Sequence, residues 1–454
     1  MDELIADVHY WFVPNRLLWV NWEKFCGAQD NPGDSTSYLV PVTDPGAALI
    51  QVGSLQHYLG IPPLVPNLEY NSLYERAYNL IYNEWYRDQN LQASLVVDTG
   101  DAGNNIANYQ LVRRGKRHDY FTSCLPWTQK GPAVELPLGL SAPVISNSVV
   151  PTFSSLTGGL TNLPLHGNPD GSGNLLLYGG PTGGVANQLF FGSNTGLQAD
   201  LTSATAATIN ELRQAIQVQR LYERDARGGT RYVEVLRSHF RVVSPDFRLQ
   251  RPEYLGGGSF NINIHPVVQT GLGGTTPLGE VSAFGTGTGD RIGFTHSFVE
   301  HGVIIGLISV RQHYTYQQGL NRMWSRQTRF DYFWPVFAHL GEQAVLNKEI
   351  YAQGLPVDDQ VFGYQERYAE YRYNPSRVSG LFASQAPTSL DAWHLAFDFP
   401  TLPLLNSSFI QEAPPMARVK AVTTEPDFIL DSYFKLSCAR PMPVYSVPGL
   451  MDHF

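Results

Sequence analysis

The stretches of this chain with the strongest strand character lie far apart in sequence, so whatever joins them must be unusually long. GVIIGLISV, residues 302–310, is a continuous apolar run suited to a strand covered on both faces. FILDSYFKLSC, residues 428–438, alternates, with Phe428, Leu430, Phe434, Leu436 and Cys438 on one face. Near the other end, LIADVHYWFVPNRLLWVNWEKF (residues 4–25) is dense in β-branched and aromatic residues with no polar lead-in, and the chain reads as beginning inside a fold. Connections this long are uncommon in compact domains unless they carry function. The expected architecture is mainly β, a sandwich that holds its loops in place while the loops do the work.

Composition agrees with that expectation. Only 16% of the 454 residues are charged, against roughly 25% in an average soluble protein, while glycine, proline and aromatics are abundant, which favours turns and strands over long solvated helices. A formal charge of −9 excludes a bulk polycation, so any contact with nucleic acid has to come from a local patch. Cys26, Cys124 and Cys438 are odd in number and widely spaced, which argues against a disulfide framework or a zinc motif and for a reducing compartment. No run has the length of a membrane span and no signal-peptide pattern opens the chain, so a soluble, intracellular product is expected.

Two helices stand out. Leu73, Ala77, Leu80, Ile81 and Trp85 recur at helical spacing over 72–87, with Ser72 and Glu75 placed as a capping box. Over 208–225, Ile209, Leu212, Ile216 and Tyr222 fall roughly on one side, and Gly228-Gly229 ends the element. Between them, residues 136–199 carry a single charge, Asp170, among Gly, Ser, Thr, Asn and Pro with isolated apolar residues. Disordered linkers carry more charge; an ordered, irregular insertion of short strands and turns is expected.

Several catalytic look-alikes fail on chemistry. LVVDTGDAG (95–103) has the form of an aspartic-protease loop, but that reaction needs two carboxylates sharing a proton and the chain has no second Asp-Thr-Gly or Asp-Ser-Gly. It also lacks the alternating acids of a calcium loop. GTGTGD (285–290) and GGPTGG (179–184) do not sit between a clear strand and a clear helix, so turn glycines explain them better than a phosphate cradle. His296 and His301 are wrongly spaced for one face of a helix or strand. A Gly-x-Ser-x-Gly elbow and a His-Glu-x-x-His pair are both absent from the sequence.

The run 311–330, RQHYTYQQGLNRMWSRQTRF, has a different character. No Asp or Glu occurs from His301 to Phe330, while Arg311, Arg322, Arg326 and Arg329 are interleaved with Tyr314, Tyr316 and Trp324. Guanidinium and aromatic faces grip phosphates and stack on unpaired bases. They also make good protein–protein interfaces. At this level both readings stand: Arg311, Arg322, Trp324, Arg326 and Arg329 are candidates to face DNA or a neighbouring subunit.

RLYERDARGGTRYVEVLRSHF (220–240), RLQRPEYLGGG (248–258), TYQQGLNRMWSR (315–326), GEQAVLNKEIYAQG (341–354), VFGYQERYAEYRYNPSRVSGLF (361–382) and the terminal ARPMPVYSVPGLMDHF together resemble the major capsid proteins of microviruses, the small single-stranded DNA phages, and within them the gokushovirus branch. FVPNRLLWVNWEKFCG (12–27) and AYNLIYNEWYRDQNLQ (77–92) extend the resemblance over nearly the whole chain outside 136–200.

The resemblance implies a viral jelly roll, a β-sandwich with long loop insertions and a few short helices. It implies no catalysis and no cofactor, but a structural coat subunit in a T=1 icosahedral shell around a circular genome, found in the virion and assembled in the bacterial cytoplasm. Residues 1–135 would be the N-terminal part of the body, 136–200 a variable surface insertion forming the three-fold protrusion that meets a host receptor, and 201–454 the rest of the body with its inter-subunit loops. Implied partners are further copies of the chain, a scaffolding protein, a pilot protein, a small basic DNA-binding protein and packaged single-stranded DNA. Within RLQRPEYLGGG, Arg248, Arg251, Glu253 and Tyr254 are candidates for an inter-subunit joint, with Pro252 stiffening the approach and Gly256–Gly258 supplying unusual backbone angles. Family members usually carry several dozen residues ahead of the point that Met1 matches, so either this lineage has lost that segment or Met1 is an internal methionine. The competing expectation is a carbohydrate-binding or carbohydrate-cleaving β-sandwich, drawing on abundant Tyr and Trp and on carboxylates such as Asp358 and Asp359.

Overall fold

Strand β1, Leu4–Pro14, is the central element of the computed structural model. The structure describes residues 4–132, 134, short backbone segments between 144 and 199, and residues 209–243, 250–271, 278–279, 281–422 and 424–440, apart from 36, 47 and 48. Two compact units emerge, one from residues 1–126 with 245–454 and one from 127–244.

In the first unit, β1 pairs antiparallel on one side with β2 (Glu253–Val268) and on the other with β4 (Gly302–Gln312); β3 (Val281–Thr286) completes a sheet of order β3-β2-β1-β4. Nearly all of β1 is buried, as expected for a strand with sheet neighbours on both sides and packing on both faces. On one face Trp11 and Val13, with Val303 and Ile305 of β4, pack against helix α1 (Leu73–Ile81) through Leu73, Ala77 and Ile81. On the other, Tyr10 and Phe12 meet Phe294 and Phe298 at ring separations of 5.3 and 4.6 Å. A register shift between Tyr10 and Trp11 marks a bulge in the β1–β2 ladder.

Strand β4 differs from its sequence expectation. Val303 and Ile305 are buried, but Ile304 and Ile308 remain 46% and 43% exposed, so the apolar run is covered on one face of the chain only. FILDSYFKLSC departs further. Its residues are exposed and belong to no described strand, because alternation sets which side chains share a face while a ladder needs a second backbone to bond to.

Helix α1 forms where predicted and passes into a π turn at Tyr82–Tyr86. The Ser72–Glu75 capping box does not form. Ser72 Oγ is bonded to Thr43 Oγ1 at 2.7 Å, and Glu75 is buried, accepting from Gln56, Tyr70 and Asn104. The next residue, the buried Arg76, donates to Asn104 Oδ1 and to the carbonyls of Leu18, Gly100 and Ala102. This fixes the Asp-Thr-Gly turn to the helix. Asp101 accepts from Trp19 Nε1 and Asn21, and Asp98 from Tyr109 Oη, so both carboxylates are occupied by local donors.

A second core of the same unit surrounds the antiparallel pair β5 (Glu342–Leu346) and β6 (Val361–Glu366), built from Tyr120, Phe121, Tyr316, Val345, Ile350, Phe362, Phe397 and Phe409. Lys116 is buried here with its ammonium 4.4 and 4.5 Å from the Phe397 and Phe409 rings, and burial lowers it to about 8 against the opposing pull of Glu412.

The second unit contains α2 (Ile209–Gly228) and α3 (Tyr232–Phe240), tied by His239 Nε2 to Asp225 at 2.7 Å. Helix α2 ends at Gly228 as the sequence predicts, and Gly229 takes a φ of 82°. Short antiparallel pairings, such as Val144–Ser146 with Leu197–Ala199 and Thr152–Ser155 with Leu189–Phe191, occupy 144–199. GGPTGG lies outside the described residues, as does the terminal stretch from 441 on. The three cysteines are free thiols.

Candidate functional site: an arginine and aromatic face

The run 311–330 leaves β4 and reaches the second core, and its four arginines meet very different surroundings. Arg311, at the end of β4, is buried and donates from Nε to Asp7 Oδ2 at 2.8 Å; Arg114 reaches the same oxygen at 3.2 Å and bonds Ser309 Oγ. Asp7 is the lone acid of an otherwise apolar stretch of β1, and it is enclosed with these guanidiniums. Arg311 is therefore occupied within the chain.

Arg322 donates from Nη1 to the Ala344 carbonyl at 2.7 Å and to Glu349 Oε1 at 3.0 Å. Burial raises the Glu349 carboxyl above its ordinary range, opposed by Arg322, the Leu346 N–H and the Tyr120 hydroxyl, which all stabilise the anion. Arg326 lies 3.7 Å from Glu370 with its guanidinium 4.2 Å from the Tyr371 ring centroid. These groups border a cavity of about 150 Å³ that Lys348 and Arg367 also line.

Beyond this paired layer the segment opens to solvent. Trp324 is 69% exposed. Arg329 sits over Phe330 and Trp334 at 5.1 and 5.8 Å, and its carbonyl accepts from Trp334 Nε1. Phe330, Tyr332, Phe333 and Trp334 are exposed as well. Sequence spacing thus grouped residues that the fold divides: Arg311, Arg322 and Arg326 face intrachain acids, while Trp324 and Arg329 face outward. Their acids, Asp7, Glu349 and Glu370, come from other parts of the chain and carried no local signal.

Within RLQRPEYLGGG, Arg251, Glu253 and Tyr254 each contact other parts of the chain. Arg248 lies outside the described residues. Arg251 stacks over Trp85 at 4.7 Å, and Trp85 Nε1 donates to the Pro252 carbonyl at 3.0 Å. Glu253 is 3.3 Å from His296, and the Tyr254 ring lies 5.0 Å from that of Trp11. None of Gly256, Gly257 and Gly258 has a positive φ, contrary to the expectation of unusual backbone angles. Their role is close approach: a Cβ at Gly257 would collide with the Val8 carbonyl oxygen, and one at Gly256 would lie 2.9 Å from that of Gly293.

The remaining carboxylate candidates are likewise structural. Asp358 accepts the N–H groups of Gln353 and Gly354, and Asp359 pairs with Lys348 at 2.7 Å. A larger, open cavity of about 400 Å³ between β2 and the start of the 287–298 connection is lined by Ser259, Phe260, Asn261, Asn263, Thr286, Gly287 and Thr288, with no titratable side chain.

A long central strand buried on both faces, carrying loops that end in exposed aromatic and guanidinium groups, suits a structural subunit better than a catalyst. Comparison with known proteins gives the class directly. The family model described as "Capsid protein (F protein)" matches residues 1–450, and the chain belongs to that family. It is 50% identical over 475 aligned residues to capsid protein VP1 of Bdellovibrio phage phiMH2K, covering all of this chain and 87% of that one. Capsid protein VP1 of Chlamydia phage 1 is 43% identical, and that of Spiroplasma virus 4 is 38% identical, each over 99% of this chain and 87% and 86% of the relative. The resemblance to gokushovirus coat proteins is borne out, and the role is structural: a major capsid protein of the virion that assembles with its own kind, not an enzyme.

Proposed function

We propose that the chain forms a viral jelly roll with long loop insertions and closes, one subunit per asymmetric unit, into a T=1 icosahedral shell around circular single-stranded DNA. Within that shell, Trp324 and Arg329 reach the genome or a neighbouring subunit, while Arg311, Arg322 and Arg326 hold the loop in shape. The observation that supports this division is the outward aromatic and guanidinium layer at Trp324 and Arg329, backed by arginines already matched to acids. Stacking on such rings is worth about 1–3 kcal/mol per base and tolerates any sequence. A chain of net charge −9 leaves bulk neutralisation to a separate polycation, the role of the small basic DNA-binding protein. The scaffolding and pilot proteins act during assembly in the host cytoplasm, and 136–200 forms the three-fold protrusion that engages the receptor. The joint at Arg251, Glu253 and Tyr254 stiffens the subunit beside its interfaces.

Co-expression with the scaffolding protein, followed by imaging of the particles at side-chain resolution, tests the proposal. Uniform closed shells with Trp324 and Arg329 on the inner surface or at a subunit junction are expected. Persistent monomers, or both residues on the outer surface, would refute it.

A further inference from the structure

The segment from Phe428 to Arg440 is the most exposed apolar stretch of the described chain. Ile429 is 103% exposed, as in a free peptide, and Leu430, Tyr433, Phe434 and Leu436 are all largely open to solvent. Its root is held: Lys420 Nζ donates to the Glu425 carbonyl at 2.6 Å and pairs with Asp427 at 2.7 Å. Past that clamp residues 428–440 lie outside every described strand. Soluble monomers rarely present apolar residues so densely unless another molecule covers them.

The period-2 pattern shows what kind of cover it needs. Phe428, Leu430, Phe434, Leu436 and Cys438 share one face of an extended chain, while Ile429, Asp431, Tyr433 and Lys435 share the other. Such a segment is suited to lie as a strand or strap on an apolar surface with its charged positions outward. Its six large apolar side chains expose on the order of 800 Å², which is about one partner's share of a standard specific interface. The chain is a capsid protein, so further copies of itself surround it when it works.

We propose that residues 428–440 are an exchange arm that each copy lays across a second copy of the same chain, contributing an interface of about standard size. The inference rests on self-assembly and adds the segment by which copies hold one another. The clamp at Lys420 fits this role, since an arm crossing to a neighbour needs a defined direction of departure.

The test uses the full chain. A photo-crosslinking phenylalanine analogue at position 434 is introduced, and isotopically heavy and light chains are mixed before assembly. Heavy–light cross-links through position 434 are expected; cross-links confined to single chains would overturn the proposal. In parallel, Phe434→Asp with Leu436→Asp should weaken self-association roughly tenfold or more by sedimentation, with the melting temperature of the monomer unchanged because neither side chain is packed. A chain ending at residue 427 that associates and closes shells as readily as the full chain would also overturn arm exchange. That last result would leave the capsid role standing, because it rests on family membership and not on the arm.

Discussion

Strand β1 and the segment 428–438 carry comparable sequence signals and meet opposite fates. Both are apolar, about eleven residues long and suited to extended backbone, yet β1 lies between two paired strands with most of its side chains buried, while 428–438 is exposed along its length. The difference lies not in the segments but in what the rest of the chain supplies. Residues 253–268 and 302–312 return to flank β1, and no described stretch returns to flank 428–438. Strand propensity therefore marks a surface to be covered without saying which molecule covers it.

That contrast can be broken most forcefully at Asp7. Asp7→Ala leaves Arg311 and Arg114 without their shared carboxylate in a closed site, and should cost about 3–5 kcal/mol of stability in denaturant unfolding. An unchanged midpoint would mean that β1 is not held as its packing implies. The covered region should also carry the pH dependence. The Lys116 pKa is lowered on folding, so between pH 8 and its unfolded value the unfolded state binds more protons, and stability should rise with pH across that window by up to about 3 kcal/mol. Below pH 8 the burial penalty is fully present. Lys116→Met should flatten this rise, read as thermal midpoints from pH 7.5 to 9.5.

Next in size, Gly257→Ala pushes a methyl against the Val8 carbonyl and should cost about 1–3 kcal/mol by prying β2 from β1. The mildest change sharpens the comparison from the other side. Ile429→Ser removes a large apolar group, yet should shift monomer stability by no more than about 0.5 kcal/mol. A larger loss on melting the isolated chain would show that the arm is packed after all.

Much of the body was legible. The spacing of Leu73, Ala77 and Ile81 located a helix and its buried face, Gly228-Gly229 marked the end of another, and GVIIGLISV marked a strand, because each signal is local and repeats with the period of the element. What failed was whatever depended on contact across sequence. Ser72 and Glu75 have capping-box spacing, but Gln56, Tyr70 and Asn104 supply competing partners that draw Glu75 inward. The acid-free run around Arg311 looked like a cationic face because Asp7 lies 304 residues away. The three glycines at 256–258 suggested unusual backbone angles, whereas they serve to let neighbouring backbone and side chains come close.

Arg76 has a mechanical consequence. Its four hydrogen bonds join α1 to the turn at 100–104 and to the segment behind β1, all from one buried guanidinium. A displacement of that turn is therefore passed to the helix, and through Leu73, Ala77 and Ile81 to the sheet they pack on. In a coat subunit this tie makes that corner behave as a strut and not a spring.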